Sequence, residues 1–239
     1  MLCPRFTSSG VSLTSRAGCG SAATVEGMTG WAGSRLSARV YDFGVEREWL
    51  ARPAGALLWG TDTRLMYDTI RTIGAMPDGS AVLDVPCGGG LALRGMRPRQ
   101  HLRYVAADIS PVMLSRTRAQ ATRLGRTVTA TAADITRLPF ADNKFDLCVC
   151  FNGLHCLPDP SAAVREIARC LKDGARFVGD TIVRGAGIRQ DLAIQAFHRV
   201  GLFGPPRTVD DVESWLSGAG LRVDRLELSG AVAHFAATR

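Results

Sequence analysis

The sequence has no uninterrupted apolar stretch as long as a transmembrane helix, so we expect no membrane span. Its seven cysteines form no CxxC pair and no spacing suited to zinc, and we therefore predict no metal site. An odd number of unpaired cysteines is typical of proteins in a reducing compartment. The cytoplasm is the predicted location.

Dense runs of Lys or Arg are also missing, although the formal net charge is +7. A charge of this size permits anionic partners. Because the arginines are scattered, however, the pattern favours a basic enzyme over a nucleic-acid-binding protein. A chain of 239 residues with 46% apolar residues is long enough to build one sizeable core.

The first 30 residues differ in composition from the rest of the chain. Residues 1–30 are rich in Ser, Gly, Thr and Ala and lack hydrophobic periodicity, so we interpret them as a disordered leader, with Met28 as a candidate translation start. We assign residues 31–239 to one domain. Within it, residues 31–76 form a helical lid, and residues 183–206 are an insertion near the carboxyl end.

A buried strand followed by a glycine turn is the clearest local pattern. The apolar run 81–85 carries Asp84 and leads into Gly88, Gly89 and Gly90, after which Leu91 is compatible with a helix start. Glycines suit such a turn because they adopt backbone angles closed to other residues and allow a ligand to approach the main chain.

Strands and helices then alternate along the chain. We predict strands near 101–108, 127–133, 145–151 and 175–182, and a final hairpin of strands 221–228 and 231–236. We expect Ser110 and Ser161 to cap helices that end near Leu124 and Leu171, and residues 172–174 to form a turn. This alternation predicts an α/β fold with a doubly wound, seven-stranded, mostly parallel sheet whose last strand is antiparallel.

Three successive strands end in an acid, namely Asp84, Asp108 and Asp134. In doubly wound sheets, ligands bind outside the carboxyl ends of the strands. Asp108 follows the glycines by about 20 residues, the spacing at which an acid accepts hydrogen bonds from a ribose. Asp134 is placed to meet the exocyclic amine of an adenine, with Ala133 and Ile135 as the wall of the ring.

These motifs together resemble the class I S-adenosylmethionine-dependent methyltransferases, in particular the small-molecule type that includes the ubiquinone and menaquinone C-methyltransferases. The segments VLDVPCGGG, AADIS, the stretch from AADITRLPF to FNGLHCLPDP, and LKDGARFVGDT carry the resemblance over about residues 40–182. The resemblance implies a Rossmann-like methyltransferase fold, S-adenosyl-L-methionine as cofactor and a small-molecule acceptor.

The resemblance also assigns roles to residues of the expected site. Asp84, Gly88 and Gly90 would border the methionine part of the cofactor. The remaining assignments are Asp108 and Ile109 at the ribose and adenine, Asp134 and Ile135 at the adenine, and Asn152 facing the cofactor. Pro86 departs from the family pattern, because it stands where the first glycine usually is and brings no backbone N–H.

Methyl transfer needs alignment of the reacting groups, and a general base only if the acceptor carries a proton at attack. His155 is the candidate base by its position after the fourth predicted strand, with an ordinary loop residue as the alternative. Tyr41, Trp59, Phe197 and Phe203 are candidates for a lid or an acceptor pocket, with packing of the surrounding helices as the alternative.

Three other functions are weighed against methyl transfer. A nicotinamide-dependent oxidoreductase would need a G-x-G-x-x-G turn and a Tyr-x-x-x-Lys pair, and the sequence has neither at the expected place. A non-catalytic domain that binds the cofactor is suggested by Pro86. An RNA methyltransferase is suggested by the net charge, but Phe151-Asn152-Gly153-Leu154 stands where enzymes that methylate nucleobase or glutamine nitrogens carry an Asp/Asn-Pro-Pro-Tyr/Phe motif.

Overall fold

The structure is a computed structural model that describes residues 55–239. The predicted leader, the candidate start Met28, the first part of the lid and Tyr41 lie outside the described residues. Within residues 55–239, no helix combines the length and the apolar character that crossing a membrane requires.

Five α-helices and seven strands follow a helical turn at 55–59. In chain order they are α1 (Arg64–Arg71), β1 (Ala81–Asp84), β2 (Arg103–Asp108), α2 (Pro111–Leu124), β3 (Thr129–Ala132), β4 (Phe145–Cys150), α3 (Pro160–Cys170), β5 (Leu171–Ile182), α4 (Ile188–Arg199), α5 (Val209–Gly218), β6 (Arg222–Ser229) and β7 (Val232–Thr238). Short 3₁₀ helices lie at Thr72–Ala75, Leu91–Gly95 and Leu154–Cys156.

All seven strands belong to one sheet in the order β3-β2-β1-β4-β5-β7-β6. The pairs from β3 to β5 are parallel, whereas β7 is antiparallel to both β5 and β6. The predicted seven-stranded sheet with an antiparallel last strand is therefore confirmed. The strand order reverses beside β1, so the loops after β1 and β4 diverge to opposite sides and leave a crevice at the carboxyl edge.

Local sequence signals explain where α2 begins and ends. The side chain of Ser110 accepts a hydrogen bond from the amide of Met113, and Pro111 occupies the first helical position. Gly125 ends the helix in the left-handed conformation with φ 61°. Because β2 ends at Asp108, this capped helix start lies directly beside the edge of the sheet where ligands bind.

The helix expected after the glycine turn is only the 3₁₀ segment Leu91–Gly95. Gly95 packs so closely on α1 that a Cβ there would overlap the carbonyl group of Ile70. Pro98 then disfavours helical backbone at the residue before it. The chain consequently turns toward β2 after a single turn, and the prediction of a helix here was too long.

Two further boundaries differ from the prediction. Asp159, not Ser161, caps α3, because its carboxylate accepts a hydrogen bond from the amide of Ala162 at 3.1 Å and Pro160 occupies the first helical position. The turn predicted at 172–174 lies inside β5, where the register against β4 shifts and Gly174 has φ 75°.

The segment before α1 is attached to the last hairpin. The Trp59 carbonyl accepts a hydrogen bond from the Ala231 amide at 2.8 Å, and the Asp62 amide donates to the Ser229 hydroxyl at 2.8 Å. A Cβ on Gly230 would lie 2.5 Å from the carbonyl carbon of Gly60. The backbone of the β6–β7 turn therefore lies directly against the chain that leads into α1.

Candidate active site

A cleft of about 950 Å³, partly open to solvent, lies at the carboxyl edge of the sheet. Its wall comes from the loops after four neighbouring strands, β3, β2, β1 and β4, and from one residue of the insertion. Seven residues predicted to bind the cofactor line this cleft: Pro86, Gly88, Asp108, Ile109, Asp134, Ile135 and Asn152. The structure thus brings together seven of the nine residues predicted to bind the cofactor.

The glycine turn is held by side chains from β2 and α2. The Gly88 amide donates to Asp108 Oδ2 at 3.0 Å, and the Thr117 hydroxyl donates to the Gly88 carbonyl at 2.7 Å. Gly88 has φ 50°, and no atom of residues 55–239 lies within 4 Å of the position that a Cβ would occupy. The turn is therefore braced from below and leaves bare main chain on its open side.

Asp108 has acceptor capacity left over after these contacts. Its Oδ1 accepts from the Ser110 amide at 2.8 Å and its Oδ2 from the Gly88 amide, and the Ile109 amide also stabilises the carboxylate, which has about four acceptor positions in all. Burial is the main cause that raises the pKa of Asp108, and the backbone amides of Ser110 and Gly88 counteract it. The carboxylate is thus oriented for donors that enter the cleft.

Asp134 presents one carboxylate oxygen in a similar way. Its Oδ1 accepts from the amide and from the hydroxyl of Thr136, both at 2.8 Å. Within residues 55–239, no hydrogen bond to Oδ2 is found. The apolar side chains of Ile135, Ile109 and Met113 line the cleft near the two acids.

Two predicted cofactor residues do not line the cleft. Asp84 is 2% exposed and accepts a hydrogen bond from the Tyr104 hydroxyl at 2.8 Å. Burial raises its pKa to about 7, against the lowering effect of Tyr104. Gly90 ends the turn with φ 85°, and a Cβ there would meet Thr117 Cα at 3.2 Å. Asp84 and Gly90 therefore support the glycine turn without lining the cleft.

Asn152 is held at the cleft by a buried acid from β5. Its backbone has φ 53°, an uncommon value for a residue other than glycine, and its amide donates to Asp180 Oδ1 at 2.8 Å. Its side-chain amide contacts Met66 Sδ at 3.6 Å. The loop after β4 is therefore anchored both to β5 and to α1.

Asp180 and His234 form a buried cross-strand pair that the sequence did not reveal. They are register partners in β5 and β7, and each is 1% exposed. The distance from His234 Nδ1 to Asp180 Oδ2 is 3.9 Å, too long for a hydrogen bond. Burial raises the pKa of Asp180 to about 7 and lowers that of His234 to about 4, so burial favours the neutral form of both.

His155 lies behind the cleft wall and is not one of the lining residues. Its Nδ1 accepts a hydrogen bond from the Ile182 amide at 3.3 Å, so the neutral ring carries its proton on Nε2. Burial lowers the pKa of His155 to about 3. Its only basic nitrogen is thus engaged with backbone, an arrangement that fits a structural role. A part in proton transfer stays a prediction.

The aromatic candidates Trp59, Phe197 and Phe203 contact one another and do not line the cleft. Ring centroids are 5.9 Å apart for Trp59–Phe203 and 5.1 Å for Phe197–Phe203, and Phe203 lies 4.5 Å from the His155 ring. Gly204, just after this cluster, packs so closely that a Cβ would overlap the carbonyl group of Leu157. The cluster therefore fixes the insertion against the loop after β4.

The sequence did not lead us to predict several of the residues that line the cleft. Met113 follows the Ser110 cap by three positions, a spacing that places it on the first turn of α2 and therefore near the edge of the sheet. Cys156 and Leu157 lie in the loop after β4, and burial raises the pKa of the Cys156 thiol to about 12. Gly201 comes from the insertion, and no local motif marks it.

The residues present fit the nucleoside cofactor that the resemblance implies. Asp108 and Asp134 offer acceptor positions for hydroxyl and amine donors. Ile109 and Ile135 supply an apolar wall for a flat ring, and Gly88 leaves room where a side chain would otherwise project. One polar edge and one apolar face are what an adenosine group requires.

Comparisons with known proteins agree with this arrangement. The family described as a methyltransferase domain matches residues 83–179. The chain is 36% identical over 119 residues to a demethylmenaquinone methyltransferase of Mycolicibacterium paratuberculosis, covering 50% of this chain and 48% of that protein. It is 29% identical over 159 residues to a ubiquinone biosynthesis O-methyltransferase of Xanthomonas axonopodis pv. citri, covering 62% of this chain and 65% of that protein.

Among solved structures, a SAM-dependent methyltransferase from Aquifex aeolicus aligns with a TM-score of 0.56 at 22% identity, covering 73% of this chain and 91% of that chain. This likeness concerns the fold. The chain spans about half to two thirds of the length of the two curated relatives. The matched segment runs from β1 to β5 and contains the glycine turn and both cleft acids. Residues 83–179 thus match a methyltransferase domain.

Proposed function

We propose that this protein is an S-adenosylmethionine-dependent methyltransferase that acts on a small-molecule acceptor. One observation carries the proposal: Asp108 at the end of β2 and Asp134 in the loop after the neighbouring β3 line one cleft together with Gly88 and Asn152. When bound, the cofactor supplies an electrophilic methyl group on its sulfonium. What the protein must add is binding, orientation and the exclusion of water.

Each lining residue has a defined task in this proposal. Asp108 accepts hydrogen bonds from the ribose hydroxyls, and Asp134 accepts one from the adenine amine. Ile109 and Ile135 pack against the adenine ring. Asn152, held by Asp180, faces the methionine end beside the glycine turn. Holding the reactants in place can supply about 7–11 kcal/mol of the barrier reduction in a displacement of this kind.

We assign the acceptor to the apolar part of the cleft near the loop after β4 and the insertion. Phe151, Cys156, Leu157 and Gly201 line the cleft there and bring no charge at neutral pH. An apolar or aromatic metabolite suits these surroundings. The quinone-related names of the two relatives support this class of acceptor.

We place the protein in the cytoplasm as part of the same proposal. Cys87, Cys148, Cys150, Cys156 and Cys170 are free thiols, which supports a reducing compartment. Fractionation of cells that express a tagged protein tests this assignment, and recovery in the exported fraction would contradict it.

Calorimetry with S-adenosylhomocysteine and with NADH tests the cofactor assignment. We expect binding of S-adenosylhomocysteine alone, and binding of NADH alone would overturn the proposal in favour of an oxidoreductase. The acceptor can then be sought by incubating a metabolite extract with cofactor labelled in the methyl group and following the label by mass spectrometry. Cofactor binding without any labelled product across broad extracts would favour a non-catalytic domain.

A further inference from the structure

Helix α4 has an apolar inner face and an equally apolar outer row. On the inner side, Ile194 is 3% exposed and packs with Ile182 and Val232. Residues spaced four apart on the outer side are all apolar and all exposed: Ile188, Leu192, Ala196 and, just past the helix end, Val200. Residues spaced four apart lie on one side of a helix. We call these four residues the outer row.

The large apolar side chains of the outer row are mostly exposed to solvent, and they lie together on one side of the helix instead of being scattered over the surface. Ile188 is 82% exposed, Leu192 66% and Val200 68%. Leu57 in the helical turn at 55–59 is also 71% exposed, and Trp59 of the same turn contacts Phe197 of α4. Contiguous apolar surface of this kind marks a site that contacts a partner or a membrane.

The exposed arginine, lysine and carboxylate side chains of residues 183–201 are all arginines. Arg184, Arg189 and Arg199 are exposed, whereas the single acid in residues 183–201, Asp191, is half-buried and accepts a hydrogen bond from the Gly185 amide at 2.8 Å. Residues 183–201 therefore present exposed apolar side chains and cations, while their one acid is hydrogen-bonded to the backbone. Helices that lie in the interface of anionic bilayers combine these two features.

We propose that the outer row and its flanking arginines form a docking surface for the anionic surface of a lipid bilayer. The apolar side chains enter the boundary between headgroups and acyl chains, and the arginines contact lipid phosphates. Val200 directly precedes Gly201 of the cleft wall, so docking brings the mouth of the cleft to the membrane surface. This inference goes beyond the proposed function and needs no turnover to be tested.

Co-sedimentation of the full chain with vesicles tests the proposal. We expect binding to vesicles of phosphatidylglycerol and phosphatidylcholine, and weaker binding to phosphatidylcholine alone. Ile188→Gln with Leu192→Gln should weaken binding to both vesicles by at least about tenfold, because buried methylene groups are lost. Arg189→Gln with Arg199→Gln should weaken binding to the anionic vesicles alone, by about fivefold per arginine.

Leu228→Gln is the matched control, since Leu228 is 52% exposed but lies on β6. It should bind vesicles like the unaltered chain. Circular dichroism and S-adenosylhomocysteine binding report whether each variant is folded. Failure of the unaltered chain to bind anionic vesicles at low salt would overturn the proposal. Equal binding by the Ile188/Leu192 variant would do the same, as would dimers in sedimentation velocity that this variant abolishes while vesicle binding is absent.

Discussion

Gly153 lies directly against the ring of Pro86, so that a Cβ at position 153 would be 2.5 Å from Pro86 Cγ. Both residues line the cleft, one after β4 and the other after β1. Proline at 86 departs from the glycine usual in this family, and its ring fills space that a side chain at 153 would need. The two loops therefore fit each other only because position 153 has no side chain.

Gly153→Ala should destabilise the protein by about 1–3 kcal/mol, the usual effect of overpacking, and weaken S-adenosylhomocysteine binding. Adding Pro86→Ala removes the clashing ring atoms and should restore part of both losses. Urea unfolding and calorimetry measure the two effects. Gly218→Ala is the control, since no atom lies within 4 Å of a Cβ there. Strict additivity of the two substitutions would contradict the coupling.

Asp108→Ala should weaken S-adenosylhomocysteine binding by about 10- to 100-fold, because charged acceptors of ribose hydroxyls are lost and the Gly88 amide loses its partner. Calorimetry measures the change. Asp173→Asn, at a side chain that is 94% exposed, should leave the affinity unaltered. Unchanged affinity in Asp108→Ala would remove this residue from the cofactor site.

Thr117→Val tests the support of the glycine turn. The substitution keeps the shape of the side chain but removes the hydroxyl that donates to the Gly88 carbonyl, and position 117 is fully buried. We expect about 1–3 kcal/mol of lost stability and weaker cofactor binding in calorimetry. Thr122→Val, on the same helix, removes an exposed hydroxyl whose one hydrogen bond within residues 55–239 is to the Arg118 carbonyl, and it should have little effect. Equal effects of the two substitutions would contradict a special role for Thr117.

The buried pair Asp180 and His234 should contribute to stability with opposite pH dependence. The pKa of Asp180 is raised on folding, so the folded state holds a proton that the unfolded state has lost, and stability falls as pH rises between about 4 and 7. The pKa of His234 is lowered on folding, so the unfolded state binds the extra proton and stability rises with pH between about 4 and 6.5.

Single substitutions should separate these two contributions. Between about pH 5 and 6, Asp180→Asn should make the slope of unfolding free energy against pH more positive by about 1 kcal/mol per unit, and His234→Gln should make it more negative by a similar amount. Urea unfolding at several pH values gives the slopes. Asp173→Asn should keep the original slope, and shifts of the same sign in both variants would refute this interpretation.

Features set by neighbours in the chain were predictable, whereas features set by distant contacts were not. Neighbouring residues alone predict the Ser110 cap, the glycine end of α2 and the acids near strand ends. The structure has these features where they were expected. The helix predicted after the glycine turn is only a short 3₁₀ helix, because Gly95 packs against Ile70 on α1. No local sequence pattern indicates this contact.

The same distinction separates the predicted site residues from the missed ones. Asp108 ends β2 and Asp134 comes two residues after β3, so topology alone brings them to one edge. Asp180 meets His234 only through the register of β5 against β7, and it reaches Asn152 only because β4 and β5 are neighbours. Asp84 matched the family motif, but its position beside Tyr104 depends on the pairing of β1 with β2.

The hydrogen bonds that join Trp59 and Asp62 to the hairpin turn at 229–231 also bear on how the molecule is made. The ribosome synthesises residues 59–62 long before residues 229–231, and the cleft acids Asp108 and Asp134 are made between them. During synthesis, residues 59–62 therefore lack these hydrogen-bond partners until the hairpin of β6 and β7 has left the exit tunnel. Attachment of α1 to the hairpin edge therefore follows the synthesis of the strands and loops that carry the cleft acids.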